Sequence, residues 1–297
     1  MTPIRSPADT QSCAAPAPLA QLQGASATLL LTLAARARAA SQPDLPGLSD
    51  LPAWADPQAC RIAAALPQAC EAHAEDVAFV RGVVLRAQRF DHLAREFFAA
   101  HPHGLCITLG AGLCTRRSRL GHLAGAARWL NVDLPEAIGL RRQWMQHSDA
   151  ETSLACSMLD TSWLDTAGLP GSQPVLVLME GVCPYLPQAP LQAMLHELAE
   201  RFAQPGAPAC TIVLDHVHPS LARLPMQVGG MRLPVVSGFE DASQLARIHP
   251  ALRVTLEEHP YARFSQRHQL FEAAFQATTG KKPYAIVRLD LEAAPHA

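Results

Sequence analysis

The chain of 297 residues is 49% hydrophobic and 17% charged, with a formal net charge of −2 at pH 7. A chain of this length and apolar content can form one large domain with a full core. The near-neutral charge argues against nucleic acid or a membrane surface as a partner, and no apolar run reaches the ~18 residues of a transmembrane helix.

The eight cysteines include no C-x-x-C pair, and several of them lie in apolar, strand-like runs. Free cysteine in such a run behaves as a small hydrophobic residue. The pattern therefore predicts reduced thiols in a cytoplasmic protein, with neither a disulfide framework nor a zinc site.

The region before residue 101 combines an irregular tail with helices. Residues 1–20 are rich in Ala, Pro, Ser and Thr without hydrophobic periodicity, which predicts a disordered tail. No apolar segment follows Arg5, so a signal peptide is not expected. We predict a helical cap over 21–100, with helices at 26–40, 58–72 and 75–100.

The segment 104–136 has the order strand, glycine turn, helix, strand, acid. Its parts are the strand 105–109, the turn Gly110-Ala111-Gly112, the helix 115–126 and the strand 127–132, followed by Asp133. Ligands of open α/β sheets bind beyond the carboxyl ends of the strands, where an acid can accept hydrogen bonds from both ribose hydroxyls. The unit predicts a nucleoside-cofactor site.

Two classes of cofactor fit this unit. The dinucleotide fingerprint G-x-G-x-x-G needs a third glycine, and this chain has Thr115 at that position. S-adenosylmethionine has no phosphate to bind, and its sites tolerate a G-x-G loop followed by an acid one strand later. The residues alone leave both classes open, although Asp133 favours cofactor binding over a purely structural turn.

The rest of the chain alternates strands and helices, which predicts an α/β fold with seven strands. The remaining predicted strands are 153–158, 174–179, 210–214, 252–257 and 283–290, and the remaining predicted helices are 134–147, 191–202, 241–248 and 270–277. The last two strands lack strand–helix–strand spacing, which favours an antiparallel strand at the C-terminal edge. Between them and the fifth strand, residues 220–238 are predicted to be an insertion that lines the substrate pocket.

Polar residues follow several of the predicted strands. Asp160 follows the third strand, and Glu180 and Tyr185 follow the fully apolar fourth strand. A buried acid is costly unless it meets a donor, so we expect Glu180 to face a polar cleft. The fifth strand is followed by Asp215-His216-Val217-His218, in which His216 is a candidate base or hydrogen-bond partner for the substrate. No H-E-x-x-H pattern accompanies these histidines, so no metal site is predicted.

The motifs LGAGLCTR at 109–116, VDLPE at 132–136 and E-G-x-x-x-Y-L at 180–186 resemble those of the leucine carboxyl methyltransferase family. The resemblance is to its bacterial branch of tetracenomycin-type polyketide carboxyl O-methyltransferases and extends over about 28–290. It implies a class I, S-adenosylmethionine-dependent, Rossmann-like sheet in a single domain, 21–297. The family carries an aspartate where this chain has Cys114, which affects one polar contact near the methionine moiety.

The resemblance also implies roles for single residues. Arg86 matches the arginine that pairs with the cofactor's carboxylate, a task that suits the planar guanidinium fork. Arg36 is either a ligand contact or an exposed helix charge, and Asp160 either meets the adenine or caps the next turn. The predicted cofactor-binding residues are Arg86, Gly110, Gly112, Asp133, Leu134, Asp160 and Glu180, and the predicted substrate-pocket residues are Tyr185 and His216.

The resulting prediction is an O-methyltransferase that moves a methyl group from S-adenosylmethionine to a small molecule, with a carboxylate as the expected acceptor. An ionised carboxylate needs no base, whereas a hydroxyl acceptor would need one, and His216 is then the candidate. The first alternative is a nicotinamide-dependent oxidoreductase, against which the missing third glycine and the absence of a Tyr-x-x-x-Lys pair argue. The second is a catalytically silent cofactor-binding protein, for which Cys114 is the one supporting feature. The residues do not identify the acceptor or the oligomeric state.

Overall fold

The main helices and strands follow the predicted order, and the short helix Ser162–Thr166 and the strands Gln227–Val228 and Met231–Arg232 are additional to it. The computed structural model describes residues 28–66, 76–145, 148–169, 171–225, 227–228 and 231–291, so the predicted tail and the end of the second predicted helix lie outside the described residues. The helices are α1 Thr28–Ser41, α2 Pro57–Ala65, α3 Val77–Ala100, α4 Arg116–Leu120, α5 Pro135–Trp144, α6 Ser162–Thr166, α7 Gln188–Phe202, α8 Ala242–Ala246 and α9 Gln266–Thr279. The strands are β1 Leu105–Leu109, β2 Arg128–Asp133, β3 Glu151–Ala155, β4 Val175–Met179, β5 Cys210–Val217, β6 Gln227–Val228, β7 Met231–Arg232, β8 Leu252–Glu258 and β9 Tyr284–Leu291.

The predicted seven-stranded α/β sheet is confirmed, with the strand order β3-β2-β1-β4-β5-β9-β8. Strands β1 to β5 are mutually parallel, and β9 runs antiparallel to both of its neighbours. The antiparallel strand therefore lies one position inside the edge, where the prediction had placed it at the edge itself. The burial patterns explain this position, because most of β9 is buried whereas more than half of the residues of β8 are exposed to solvent, as an edge strand can tolerate.

Helices cover both faces of the sheet. On one face, Phe90 and Phe98 of α3 pack against Leu178 of β4. On the other face, Leu195 of α7 packs in the same cluster as Ile107 of β1. Helices α1 and α2 pack against each other, and α1 also packs against α3. This packing leaves the carboxyl ends of the central strands facing α1.

Two strand boundaries differ from the prediction in ways that affect the site. β3 covers Glu151–Ala155, whereas 153–158 was predicted, so Asp160 lies five residues beyond its end. β5 continues to Val217 because it pairs with β9 along its whole length, from Cys210 to Val217. His216 is therefore a strand residue, where the prediction had placed it in a loop after the strand. Long-range pairing of this kind overrides local sequence preference.

The insertion 220–238 contains the short hairpin formed by β6 and β7, which is separate from the main sheet. No helix in the described part of the chain is both long and apolar enough to cross a membrane.

Candidate functional site

A cavity of about 290 Å³ lies at the carboxyl ends of β1, β2 and β4 and is walled by α1. Most of the residues predicted to bind a cofactor line it. They are Arg86, Gly110, Gly112, Asp133, Leu134 and Glu180, together with the predicted pocket residue Tyr185. We refer to this space as the first cavity.

Asp160 is absent from the residues that line the first cavity. Its side chain is exposed and accepts a hydrogen bond from the backbone N–H of Ser162, 3.2 Å away, at the start of α6. Two roles were left open for Asp160, contact with the adenine and capping of the next turn. The structure agrees with capping, because the carboxylate accepts from a backbone donor at the beginning of a helix.

The glycine turn after β1 shapes the first cavity. Gly110 and Gly112 have φ angles of 69° and 43°, a region that favours glycine. A Cβ atom on Gly110 would lie 2.8 Å from the Cγ2 atom of Val182, so glycine is also required for space. The backbone N–H of Gly112 donates to the Oδ2 atom of Asp133 at 2.7 Å. The turn and the end of β2 are thereby fixed relative to each other.

Asp133 is held by two backbone donors. Its Oδ1 atom accepts from the N–H of Leu134 at 2.7 Å, in addition to the bond from Gly112 to Oδ2. Burial raises the pKa of Asp133, and these two N–H groups partly counteract the rise because they favour the charged form. Each carboxylate oxygen keeps a further lone pair with which to accept a hydrogen bond from a ligand. The acid is fixed in place before any ligand arrives.

Glu180 meets two arginines at the boundary of the first cavity. Its Oε1 atom accepts from Nε of Arg86 at 3.1 Å, and its Oε2 atom accepts from Nη2 of Arg116. Burial would raise the pKa of Glu180, but the positive charges of Arg116 and Arg86 lower it to about 2. This confirms the expectation that Glu180 meets donors, and it makes Glu180 a bridge between two cations.

A buried network of ion pairs continues from Arg116. Nε of Arg116 donates to Oδ1 of Asp91 at 2.7 Å, and Arg119 donates to both carboxylate oxygens of Asp91 at 2.8 Å. Arg119 also reaches Asp56, 3.1 Å away. These side chains are almost fully buried, so their mutual pairing is what makes their charges tolerable.

Arg36 joins the same network from α1. It is 5% exposed, and it donates to Oδ2 of Asp56 at 3.0 Å, to Oγ1 of Thr115 at 2.6 Å and to the carbonyl oxygen of Leu113 at 2.8 Å. The exposed alternative for Arg36 is therefore wrong. Arg36 lines the first cavity and fixes the loop after the glycine turn to α1.

A second cavity, of about 370 Å³, adjoins the first and shares three lining residues with it, Arg86, Gly181 and Tyr185. Its walls are largely aromatic. All three tyrosines of the chain line it, together with two phenylalanines: Phe79, Tyr185, Tyr261, Phe264 and Tyr284. Leu233 and Val235 of the insertion also line it, as the prediction for 220–238 requires. An apolar cavity with few polar groups is typical of a small-molecule site.

Asp215 joins three segments at the base of the second cavity. It accepts hydrogen bonds from the backbone N–H of Gly181 at 2.5 Å, from the hydroxyl of Tyr284 at 2.9 Å and from Nη1 of Arg86 at 3.5 Å. Burial raises the pKa of Asp215, whereas Arg86 acts to lower it. Gly181 has a φ of 65°, and a Cβ atom there would lie 2.8 Å from the guanidinium of Arg86. The lack of a side chain on Gly181 thus gives Arg86 its place between the two cavities.

His216 lines neither cavity. It follows Asp215 on the same strand, so its side chain points to the opposite face of the sheet. There its ring packs edge-on against Phe239, with centroids 5.7 Å apart, and burial lowers its pKa to about 4. The predicted role of His216 in the substrate pocket has no support in this geometry.

Sequence reasoning missed several residues that the structure brings to the two cavities. Arg116 and Arg119 are spaced three apart after the glycine turn, and Asp91 follows Arg86 by five residues on α3. The i,i+3 spacing on α4 was the available signal for the two arginines. Asp56 and His268 lie in segments with no local pattern that points to a site.

A separate group, His196, Glu200 and His249, brings three potential metal ligands within 4.8 Å of one another. The backbone N–H of Ala251 donates to Nδ1 of His249 at 3.1 Å, which leaves the ring proton on Nε2. Nε2 lies 2.9 Å from Oε1 of Glu200 and so acts as a donor to it. In this arrangement His249 presents no lone pair to a cation.

Comparison with known proteins agrees with the glycine-turn and Glu180 motifs. Residues 50–199 match the family model described as leucine carboxyl methyltransferase. TcmP, the tetracenomycin polyketide synthesis O-methyltransferase of Streptomyces glaucescens, is 32% identical over 199 residues, which cover 67% of this chain and 68% of TcmP. The S-adenosyl-L-methionine-dependent methyltransferase dpfgK of Gibberella zeae is 30% identical over 62% of this chain and 64% of its own length.

Among solved structures, a putative methyltransferase from Thermobifida fusca superimposes with a TM-score of 0.58 at 13% identity, covering 93% of this chain and 97% of that one. This likeness concerns the fold. The matches support the methyltransferase prediction and give no support to the oxidoreductase alternative. The chain therefore belongs to the leucine carboxyl methyltransferase family and is an S-adenosylmethionine-dependent O-methyltransferase.

Proposed function

We propose that this enzyme forms the methyl ester of a small, largely apolar carboxylic acid that occupies the second cavity. The proposal rests on the position of Arg86. This cation lies between the second cavity, which has aromatic walls, and the first cavity, which is lined by the residues predicted to bind the cofactor. Its positive charge favours an anionic group on the acceptor at the boundary of the two cavities, while its remaining N–H groups are the candidate partners of the cofactor's carboxylate. TcmP is named as an enzyme of tetracenomycin polyketide synthesis, and this similarity supports an acceptor from secondary metabolism.

We assign the cofactor to the first cavity because the residues there fit its chemistry. Asp133 has free lone pairs for the two ribose hydroxyls, and the open left-handed turn at Gly110 and Gly112 lets the backbone approach a ligand. Leu134 lies beside Asp133 at the cavity wall, and Arg86 is the candidate partner of the cofactor's carboxylate. Glu180 acts by fixing Arg86 and Arg116.

Bound S-adenosylmethionine supplies a methyl group that is already activated by its sulfonium. The task of the protein is then to orient the acceptor and exclude water. An acceptor carboxylate is ionised at neutral pH, so no residue of the second cavity needs to remove a proton from it. Tyr185, in the wall common to both cavities, helps to enclose the reacting groups.

The experiment that tests ester formation uses the purified enzyme with methyl-labelled S-adenosylmethionine and a panel of aromatic carboxylic acids and phenols. A methyl ester is released by mild alkali, whereas a methyl ether is not, so product stability identifies the acceptor oxygen. We expect an alkali-labile product and a single-turnover rate that stays nearly flat from pH ~6 to ~8, since the acceptor is already ionised. An alkali-stable product would reject the carboxylate proposal.

The role of Arg86 is tested with Arg86→Lys, which keeps the charge and loses the planar fork. We expect weaker binding of S-adenosylmethionine by calorimetry, and a smaller difference in affinity between the intact and the decarboxylated cofactor. Equal affinity of the wild type for both cofactor forms would remove the carboxylate contact from Arg86.

We also propose that the protein is cytoplasmic. The six cysteines in the described ranges, which omit Cys13 and Cys70, are all free thiols. Free thiols are typical of proteins in reducing compartments.

A further inference from the structure

The second cavity follows α3 from the start of the helix to Arg86. The residues that α3 contributes share one face of the helix and are Ala78, Phe79, Gly82, Val83 and Arg86. Asp76, which caps the helix, also lines the cavity. Arg86 follows Asp76 by ten positions, which corresponds to about 15 Å along a helix axis. The cavity is therefore elongated, with Arg86 towards one end.

The opposite end carries the ring of His268, from α9. His268 lines the cavity and lies close enough to Asp76 for the carboxylate to act on its pKa. Its ring stands edge-on to Tyr261, with centroids 4.7 Å apart, and its Nδ1 atom lies 2.7 Å from Oγ of Ser265. Because Ser265 occupies Nδ1, the nitrogen that remains for a ligand is Nε2.

The other polar groups at this end have different tasks. Oδ1 of Asp76 accepts from the backbone N–H groups of Ala78 and Phe79 and so caps α3. Gln227 is exposed to solvent on β6. Burial lowers the pKa of His268, so its ring is neutral near pH 7. A neutral ring offers either an N–H donor or a lone pair at Nε2, depending on its tautomer.

We propose that His268 is a specificity-determining residue that recognises a hydroxyl group at the end of the acceptor remote from the methylated carboxylate. A hydroxyl both donates and accepts hydrogen bonds, so it pairs with Nε2 of His268 in either tautomer. The aromatic walls between the two polar ends suit a flat, multi-ring body. This inference rests on the proposed carboxylate chemistry and adds to it a second point of recognition.

The test compares wild type and variants on acceptors with and without the hydroxyl group, and it uses two matched pairs of acceptors. They are 2-naphthoic acid with 6-hydroxy-2-naphthoic acid, and anthracene-2-carboxylic acid with 6-hydroxyanthracene-2-carboxylic acid. For wild type we expect the hydroxyl to raise kcat/KM by about tenfold in at least one pair, the scale of one hydrogen bond. In His268→Phe this preference should fall to about one, because the ring stays and the nitrogen is lost.

Two further variants show whether the preference for the hydroxyl depends on a polar group at position 268. His268→Gln retains a polar group that can both donate and accept, so it should recover part of the preference. Gln269→Ala, at an exposed neighbouring position of α9, should keep the preference of the wild type. Thermal unfolding of each variant verifies the fold, and binding measured by the intrinsic fluorescence of the acceptors gives a readout independent of turnover.

The outcomes distinguish this inference from the proposed function. If His268→Phe lowers kcat/KM equally for both members of each pair, or if wild type shows no preference in either pair, the role of His268 is overturned while ester formation stands. If wild type makes no alkali-labile ester from any acid, the proposed function fails first. A preference that is lost in His268→Phe and partly restored in His268→Gln supports the inference.

Discussion

The two cavities meet at Arg86 but are built in opposite ways. The first is bounded by paired charges that come from α1, α3, α4 and the segment before α2, and every carboxylate in this network accepts from at least one arginine. The second is bounded mainly by aromatic rings, with Arg86 and Asp215 at its base. With the cofactor in the first cavity, as proposed, fixed charges position a constant ligand in one half of the site, while the other half is shaped by packing that a few substitutions can alter.

The largest effect is expected when an ion pair of the buried network beside the first cavity is broken. Asp91→Asn leaves Arg116 and Arg119 without their common carboxylate, and a buried pair that loses one partner costs about 3–5 kcal/mol in the free energy of unfolding. Denaturant unfolding measures this loss. The matched control is Glu197→Gln, which breaks a partly exposed pair with Arg201 and should cost less than ~1 kcal/mol. Similar losses in both variants would mean that the buried network is no more important than a surface pair.

The next effect concerns His216, which lies outside both cavities. Its pKa is about 4 in the folded protein, against 6.5 as the ordinary value, so the unfolded chain binds its proton first as the pH falls. The free energy of unfolding should therefore decrease by about 3 kcal/mol between pH ~6.5 and ~4 on account of this residue. His216→Phe should remove that part of the decrease in denaturant titrations at several pH values. An unchanged pH dependence in the variant would show that His216 does not titrate in this way.

An effect of intermediate size is expected at Asp133, which lines the first cavity. Asp133→Ala should weaken S-adenosylmethionine binding by about 1.5–3 kcal/mol, the scale of hydrogen bonds to a charged group. Calorimetry gives the affinity, and Asp160→Ala is the matched control, because Asp160 is exposed and off the cavity. If the two alanine variants bind the cofactor equally well, Asp133 is not the ribose ligand.

The smallest expected effect tests whether the second cavity can be altered without a change in the affinity for the cofactor. In Gly82→Ala the new Cβ would lie 2.9 Å from Cδ2 of Phe264, so this ring must move within the wall of the second cavity. We expect a severalfold rise in KM for the acceptor and an unchanged Kd for the cofactor. The fold should tolerate the change, since alanine favours a helix over glycine by ~1 kcal/mol. A change in cofactor affinity would indicate that the cavities are coupled through α3.

The parts that the sequence predicted well are those encoded by local pattern. The glycine turn, Asp133 and Glu180 lie at the ends of apolar strands, and strand ends converge at one edge of a parallel sheet. The network around Arg116 was not predicted, because its members come from segments that local pattern does not connect. His216 was misplaced for a similar reason, since β5 is lengthened by pairing with β9, which lies some 70 residues further along the chain.

The inside position of β9 has a consequence for how the enzyme is made. All residues that line the first cavity lie between Thr28 and Leu186, whereas the second cavity also needs Tyr284, from β9. The chain emerges from the ribosome with its N-terminal end first, at about 5–20 residues per second. All residues that line the first cavity are thus synthesised while β5 still lacks one neighbour, and β5 has an unpaired edge until β9 emerges.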